Sequence, residues 1–464
     1  MSLTSTGYVL FLIACVFLYW LLPVKLRRGM LLVASIGFYL YAMPAQLPAM
    51  LLYLWVIYAL SRLIARSKQP AKKRLLVCGI CLSIGYLFFY KYLNFTVSLF
   101  TGGGNVLSFA VPMGISYVTF QCISYLVMVS RREIAPRTDP ALFFLYALFF
   151  PKVTAGPIES PEKFAEECCR KKTLTWRNTL SCVLLILAGF VKKCAVADLA
   201  APAVNKVFAA PGQADGLSSA ISIALYTAQI YFDFSGYTDI AIGSAGLFGI
   251  RLTENFDHPY AAVSVVDFWR RWHISLTSWL RKYVYFPLGG SRVSTERRYF
   301  NILTVFLVSG LWHGASLTFV LWGLLHGLMQ VMEIALKKRF PEPAQPSKAR
   351  ILLARARTLV LVALGWVFFR ADTVGNAFRV LGSLLGPWAL PGKAFSFLGL
   401  SAAVWILMLV SALCIGKVKQ YVLSDHLTRR GGIILCVILT LLTLTARVLG
   451  AGSGAVNSFI YFNF

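Results

Sequence analysis

Five histidines occur in 464 residues, and two of them fall where an ionisable side chain is expensive. His313 and His326 stand in residues 299–332, a run of 34 without Asp, Glu, Lys or Arg. An ionisable group inside so apolar a run is read first as a functional site facing the protein interior. A neutral imidazole can take the proton from a hydroxyl as that hydroxyl attacks an acyl carbon. His313, flanked by Trp312 and Gly314, is the first candidate for such a general base. A buried histidine bonded to a neighbouring carbonyl or hydroxyl leaves the same trace, so spacing alone keeps both readings open. His273 and His326 rank after it, and His258 and His426 carry little signal.

These residues need elements that hold them. As one straight helix, residues 299–332 would run about 50 Å, past a hydrocarbon core of roughly 30 Å. Gly310 and Gly314, beside Ser309 and Ser316, are the predicted break points, which puts His313 at or near a helix end. His326 lies 13 residues on, about 220° round a helix, so the two histidines would not share a face or form a joint metal site. A second stretch, residues 264–285, has helical spacing. Asp267, Arg270, Arg271, Ser278 and Arg281 fall on one side, with Trp269, His273, Leu276 and Leu280 on the other. Asp267 can pair with Arg270 or Arg271, and the PLGG that follows should end the helix. Such a helix suits a membrane interface or a cavity wall.

Composition fixes the class. Hydrophobic residues make up 58% and charged residues 14%, against about 25% charged in soluble domains. Mean hydropathy is +0.70. The runs and their breaks predict an all-α, polytopic membrane protein of about 11 transmembrane segments. The basic cluster Lys25, Arg27 and Arg28 follows the first apolar run and places that end in the cytoplasm, as an uncleaved helix. Net charge is +27, but the basic residues punctuate apolar runs, which points to anionic lipid headgroups and away from nucleic acid. Cys78 and Cys81 form a CxxC inside membrane core, without a second pair at zinc spacing. Asp233 and Asp239, six apart, would sit about 240° apart on a helix. No metal site, GxSxG elbow or phosphate loop is expected. The chain is expected to form a single domain over 1–464: N-terminal helices (1–105), a motif-rich core (106–332) and C-terminal helices (333–464). The prolines of 338–350 mark a loop outside the membrane.

The segment YFDFSGYTDIAIGSAGLFGIRLTENFDHPYAAVSVVDFWRRWHISLTSWLRKYVYFPLGGSR, followed by SGLWHGASLTFVLWGLLHG, closely resembles the membrane-bound O-acyltransferase family. PMGISYVTFQCISYLV, FFPKVTAGPIESP, GFVKKCAVADLAAP and the C-terminal FIYFNF add to the match. The resemblance implies acyl transfer onto a hydroxyl through a tunnel crossing the membrane. The family's essential histidine, in its WHG motif, maps onto His313, and a second polar position, in WRRWH, maps onto His273 as an orienting group. Arg270, Arg271, Trp312 and His326 are the candidate substrate-binding positions. The arginines would clamp donor phosphates, although paired structural arginines at a membrane interface fit them equally well.

PLGG looks like the alginate O-acetylase branch, which implies a bacterial inner membrane and acetylation of an exported polysaccharide with an extracytoplasmic partner protein. The donor would be acetyl-CoA or an acyl carrier protein thioester on the cytoplasmic side, with no bound cofactor. D-alanyl transfer to teichoic acid is the alternative within the family. A transporter or flippase is the alternative of another class. It predicts two comparable halves and intramembrane acids, and the sequence reading finds neither. An inactive scaffold is a third reading. It draws on departures from the family pattern at Met128, Leu317 and Lys282.

Overall fold

The structure is a computed structural model, describing residues 3–101, 110–135, 139–340, 343, 345–424, 426–451 and 459–460. Four residues of the C-terminal FIYFNF and three of the loop at 338–350 lie outside the described residues.

All regular elements among the described residues are helices, and one isolated antiparallel bridge joins Phe256 and Trp272. Among the described residues, seven helices are long and apolar enough to cross a membrane: Pro44–Arg66, Ala71–Thr101, Trp176–Ala209, Leu317–Arg339, Lys348–Arg370, Ala402–Val422 and Arg429–Ala451. Thr6–Leu21 and Ile115–Ser130 are apolar but shorter. The estimate of about 11 segments is approached only when such shorter or more polar helices are counted beside the seven.

The motif-rich middle is buried in protein, which is where a membrane protein can hold irregular backbone. Every residue from Ile115 to Val129 is buried, so that helix meets protein on all sides. Gly216–Leu247, 32 residues long, packs along Trp176–Val191 through facing glycines. A Cβ at Gly189 would stand 2.6 Å from the carbonyl oxygen of Gly236, so only glycine permits this approach.

The lysines and acids of these two helices close the same contact. Lys192 meets Asp239 at 2.5 Å, and Lys193 meets Asp198 and Asp233, each at 2.8 Å. The sequence reading found no intramembrane acids. The structure corrects this: Asp233 and Asp239 are buried, each against a lysine. Asp233 also accepts from the backbone N–H of Ile460 at 2.9 Å, and Phe459 packs over the Lys193 ammonium.

Among the described residues, three wide, π-type turns interrupt the helices, at Phe88–Tyr92, Lys192–Asp198 and Arg281–Tyr285. Such turns concentrate at functional sites. Each delivers basic residues inward or to a cavity wall: Lys91, the Lys192–Lys193 pair, and Arg281.

Candidate active site

The apolar run that holds His313 breaks into a helical hairpin. Thr295–His313 ends on the histidine itself, and Leu317–Arg339 begins three residues after Gly314. Ser316 caps the second helix, its Oγ accepting from the Thr318 N–H at 3.3 Å. The predicted break at Gly314 is therefore present. Gly310 serves a different purpose: it lies inside the first helix, where a Cβ would stand 2.3 Å from the carbonyl oxygen of Phe319. Gly310 and Gly323 let the two arms of the hairpin touch.

Folding the run back changes the relation between its histidines. His313 is buried in a ring of aromatics, with Trp312, Trp322 and Phe369 centroids at 4.9, 5.0 and 5.1 Å. Trp322 also meets His326 at 5.2 Å, so one indole lies against both imidazoles. His326 Nδ1 accepts from Trp269 Nε1 at 3.3 Å, and Gly365 leaves room for the far edge of its ring.

The stretch at 264–285 departs from the single helix expected of it. Val265–Arg271 stops, and Ile274–Leu280 starts anew. Between them His273 takes a left-handed conformation, φ 45° and ψ 53°, which a side chain adopts only under constraint. The constraint is Asn255, fully buried. Its carbonyl oxygen accepts from Ile274 N–H at 3.0 Å and its Oδ1 from Ser275 N–H at 3.1 Å. No Gly or Pro marks this break, so helical periodicity alone could not reveal it. The imidazole of His273 is thereby buried against Phe234 at 4.7 Å and Trp312 at 5.9 Å. Trp312 thus contacts both His273 and His313.

The two arginines part company. Arg271 donates from Nε to Asp267 at 2.9 Å, the i,i+4 pair expected from the sequence. Arg270 instead lines a cavity of about 280 Å³ with Arg281 and Arg298, over an apolar wall that includes Trp269 and Phe306. Ser309, one helical turn before His313, lines the same cavity. Arg281 is followed by Lys282, whose ammonium meets Glu133 at 2.9 Å, while Arg28 pairs with Asp139 at 2.8 Å. Glu133 and Asp139, six residues apart, thus tie the neighbour of a cavity arginine and the basic segment after the first helix to the same stretch of chain.

Sequence reasoning missed Lys91. It is the one charged residue between 75 and 130, and its ammonium reaches the carbonyl oxygens of Trp312 and His313. A lone charge in an apolar run was the available signal. Lys152 and Glu159 were missed as well. Lys152 donates to Gln121 Oε1 at 2.9 Å, and Glu159 accepts from Thr253 Oγ1 at 2.9 Å, both in the buried loop after Phe149. Among the described residues no group of three or more His, Cys, Asp and Glu side chains could hold a metal ion.

Comparison with known proteins meets this geometry. The sequence pattern of the MBOAT, membrane-bound O-acyltransferase, family matches residues 4–370. The probable alginate O-acetylase of Pseudomonas aeruginosa is 34% identical over 83% of this chain and 76% of its own length. The peptidoglycan O-acetyltransferase of Helicobacter pylori is 33% identical over 77% and 73%. The teichoic acid D-alanyltransferase of Bacillus subtilis is 29% identical over 48% and 58%.

Proposed function

We propose, since the chain belongs to the membrane-bound O-acyltransferase family, that it moves an acetyl group from a cytoplasmic thioester to hydroxyls of an exported polysaccharide or cell-wall polymer. The enzyme would lie in a bacterial inner membrane. One observation carries the reading: His313 ends a helix inside the protein, one turn beyond a cavity with three arginines on its wall. On this reading that cavity shares an end with Lys25, Arg27 and Arg28, the cytoplasmic end by charge bias. Guanidinium groups suit the phosphates of acetyl-CoA or of a carrier protein's prosthetic arm. The apolar wall then suits the arm that carries the thioester.

His313 acts as the general base. Its ring takes the proton of the acceptor hydroxyl, or of a relay hydroxyl on an extracytoplasmic partner protein, as that oxygen attacks the thioester carbonyl carbon. The C–O bond forms, the C–S bond breaks, and the proton passes from the imidazolium to the departing thiolate. His273 and Trp312 shape the space beside the reacting imidazole, Trp269 forms part of the wall towards the donor and is held from behind by His326, and Arg270 binds phosphate. Arg271, tied to Asp267, holds the amphipathic element in place.

The acetyl reading is preferred over D-alanyl transfer because its relatives are 34% and 33% identical over 83% and 77% of the chain, against 29% and 26% over 48% and 61% for two D-alanyltransferases. A transporter has less support, since Asp233 and Asp239 are both matched by lysines and offer no open cation site. The test is transfer of label from acetyl-CoA in membranes carrying wild type or His313→Ala, isolated from the native cells so that any partner proteins are present. General-base assistance contributes roughly 10²–10⁴ in rate, and a loss of that size is expected for His313→Ala. Near wild-type transfer by that variant would remove His313 from this role. Label carried only from D-alanyl carrier protein would replace the acetyl donor.

A further inference from the structure

The helix Thr295–His313 ends in the protein interior, and its last carbonyls have no partners within the helix. At a membrane-buried end, water cannot be relied on to satisfy them. The neighbouring Phe88–Tyr92 turn supplies the donors. Tyr92 donates its hydroxyl to the carbonyl oxygen of Leu311 at 2.5 Å. Lys91 Nζ donates to the carbonyl oxygens of Trp312 at 2.6 Å and His313 at 3.3 Å. Its third bond goes to Ser116 Oγ at 3.1 Å, at the start of the helix Ile115–Ser130. Three consecutive carbonyls are thus closed by two consecutive side chains. A cation at this end also faces the negative end of the helix dipole.

We propose that Lys91 is a positioning residue for acyl transfer, fixing the end of the His313 helix so that the imidazole meets the donor at one angle. An ammonium has three donors, and all three are spent on protein acceptors. None remains for substrate, which separates this role from oxyanion stabilisation. A neutral side chain of the same length would leave two carbonyls of this helix end unsatisfied and free the hairpin at the residue that does the chemistry. Misplacement of a reacting group by about 1 Å can cost on the order of 100-fold in rate.

The inference rests on the reading of His313 as the base, so the experiment separates the two. Lys91→Met, Lys91→Arg, Tyr92→Phe and His313→Ala would be purified as full chains, and kcat and KM for acetyl-CoA measured with the native membrane fraction of a strain lacking this protein added back. Hydrogen exchange would be followed in the peptide covering Leu311–Leu317. Lys91→Met is expected to lower kcat on the order of 100-fold with KM for the donor unchanged, and to speed exchange in that peptide alone. Lys91→Arg, which keeps the charge and offers several donors, should recover part of kcat. If Lys91→Met proves too unstable to purify, Tyr92→Phe removes one neighbouring bond and should show the same split in milder form.

An inactive His313→Ala beside a fully active Lys91→Met would overturn the positioning role and leave the base intact. A rise in KM equal to the fall in kcat, or faster exchange throughout the chain, would overturn it equally. An active His313→Ala would instead sink the reading beneath it.

Discussion

The indole N–H of Trp269 donates to Nδ1 of His326 at 3.3 Å, joining the WRRWH element to the second arm of the hairpin that carries His313. This bond fixes the tautomer: Nδ1 is the acceptor, and the ring proton sits on Nε2. Trp269 is also a wall of the arginine-lined cavity. On the proposed function His326 acts on donor binding through Trp269, and it packs against Trp322, which in turn touches His313.

His326→Ala should accordingly damage stability and donor binding before it damages chemistry. Leaving a buried donor unpaired costs about 1–3 kcal/mol, and the missing ring adds a cavity between Trp269 and Trp322. The expected result is a lower midpoint of thermal inactivation in detergent and a higher KM for acetyl-CoA. His326→Gln, which can still accept from Trp269, should recover part of both. A fall in kcat as deep as that of His313→Ala, at unchanged KM, would instead make His326 a participant in the reaction.

What the sequence made legible was whatever is local. The apolar runs specified the membrane helices, Gly314 the break beside His313, and the Asp267–Arg271 spacing its ion pair. What it hid depends on residues far apart in the chain. His273 is bent by Asn255, 18 positions earlier. Lys91 meets a helix end more than two hundred residues away. Asp233 and Asp239 lie far round a helix from one another, yet both find lysines because Lys192 and Lys193, consecutive in the chain, diverge by about 100° round their own helix. Periodicity describes one element at a time, so contacts that bend or close an element escape it.

Acid should loosen the entrance to the helix Gly216–Leu247. Asp215 caps it, accepting from the N–H groups of Leu217, Ser218 and Ala389 at 2.9, 3.2 and 3.2 Å. Burial is the largest single influence and pushes this carboxyl up, but the bonds from Ser218, Ala389 and Leu217 together outweigh it and hold the group below its ordinary 3.8. A depressed pKa stabilises the fold at pH above the unfolded value, and that contribution is lost as pH falls through the folded value. A capping carboxylate contributes about 1 kcal/mol. Wild type should thus exceed Asp215→Ala in thermal midpoint at pH 7, with the gap closing below pH 3.8. A gap that stays constant across that range would mean that the negative charge is not what the cap uses.

The arginines of the cavity give the sharpest separation between neighbours in sequence. Arg270, Arg281 and Arg298 line the cavity, whereas Arg271 is held by Asp267. A bond to a charged group is worth about 1.5–3 kcal/mol, and solvent at the mouth reduces this, so each cavity arginine replaced by Gln should raise KM for acetyl-CoA by roughly 3- to 30-fold. Arg271→Gln should leave KM nearly unchanged and lower stability instead. Added salt should narrow the difference between wild type and Arg270→Gln, because phosphate attraction at an open mouth is screened within about 10 Å at 0.1 M. Acetyl-pantetheine, which lacks the nucleotide phosphates, should bind wild type and Arg270→Gln alike. If its KM rises as steeply as that of acetyl-CoA, the guanidinium is supporting the cavity wall and the phosphates are held elsewhere.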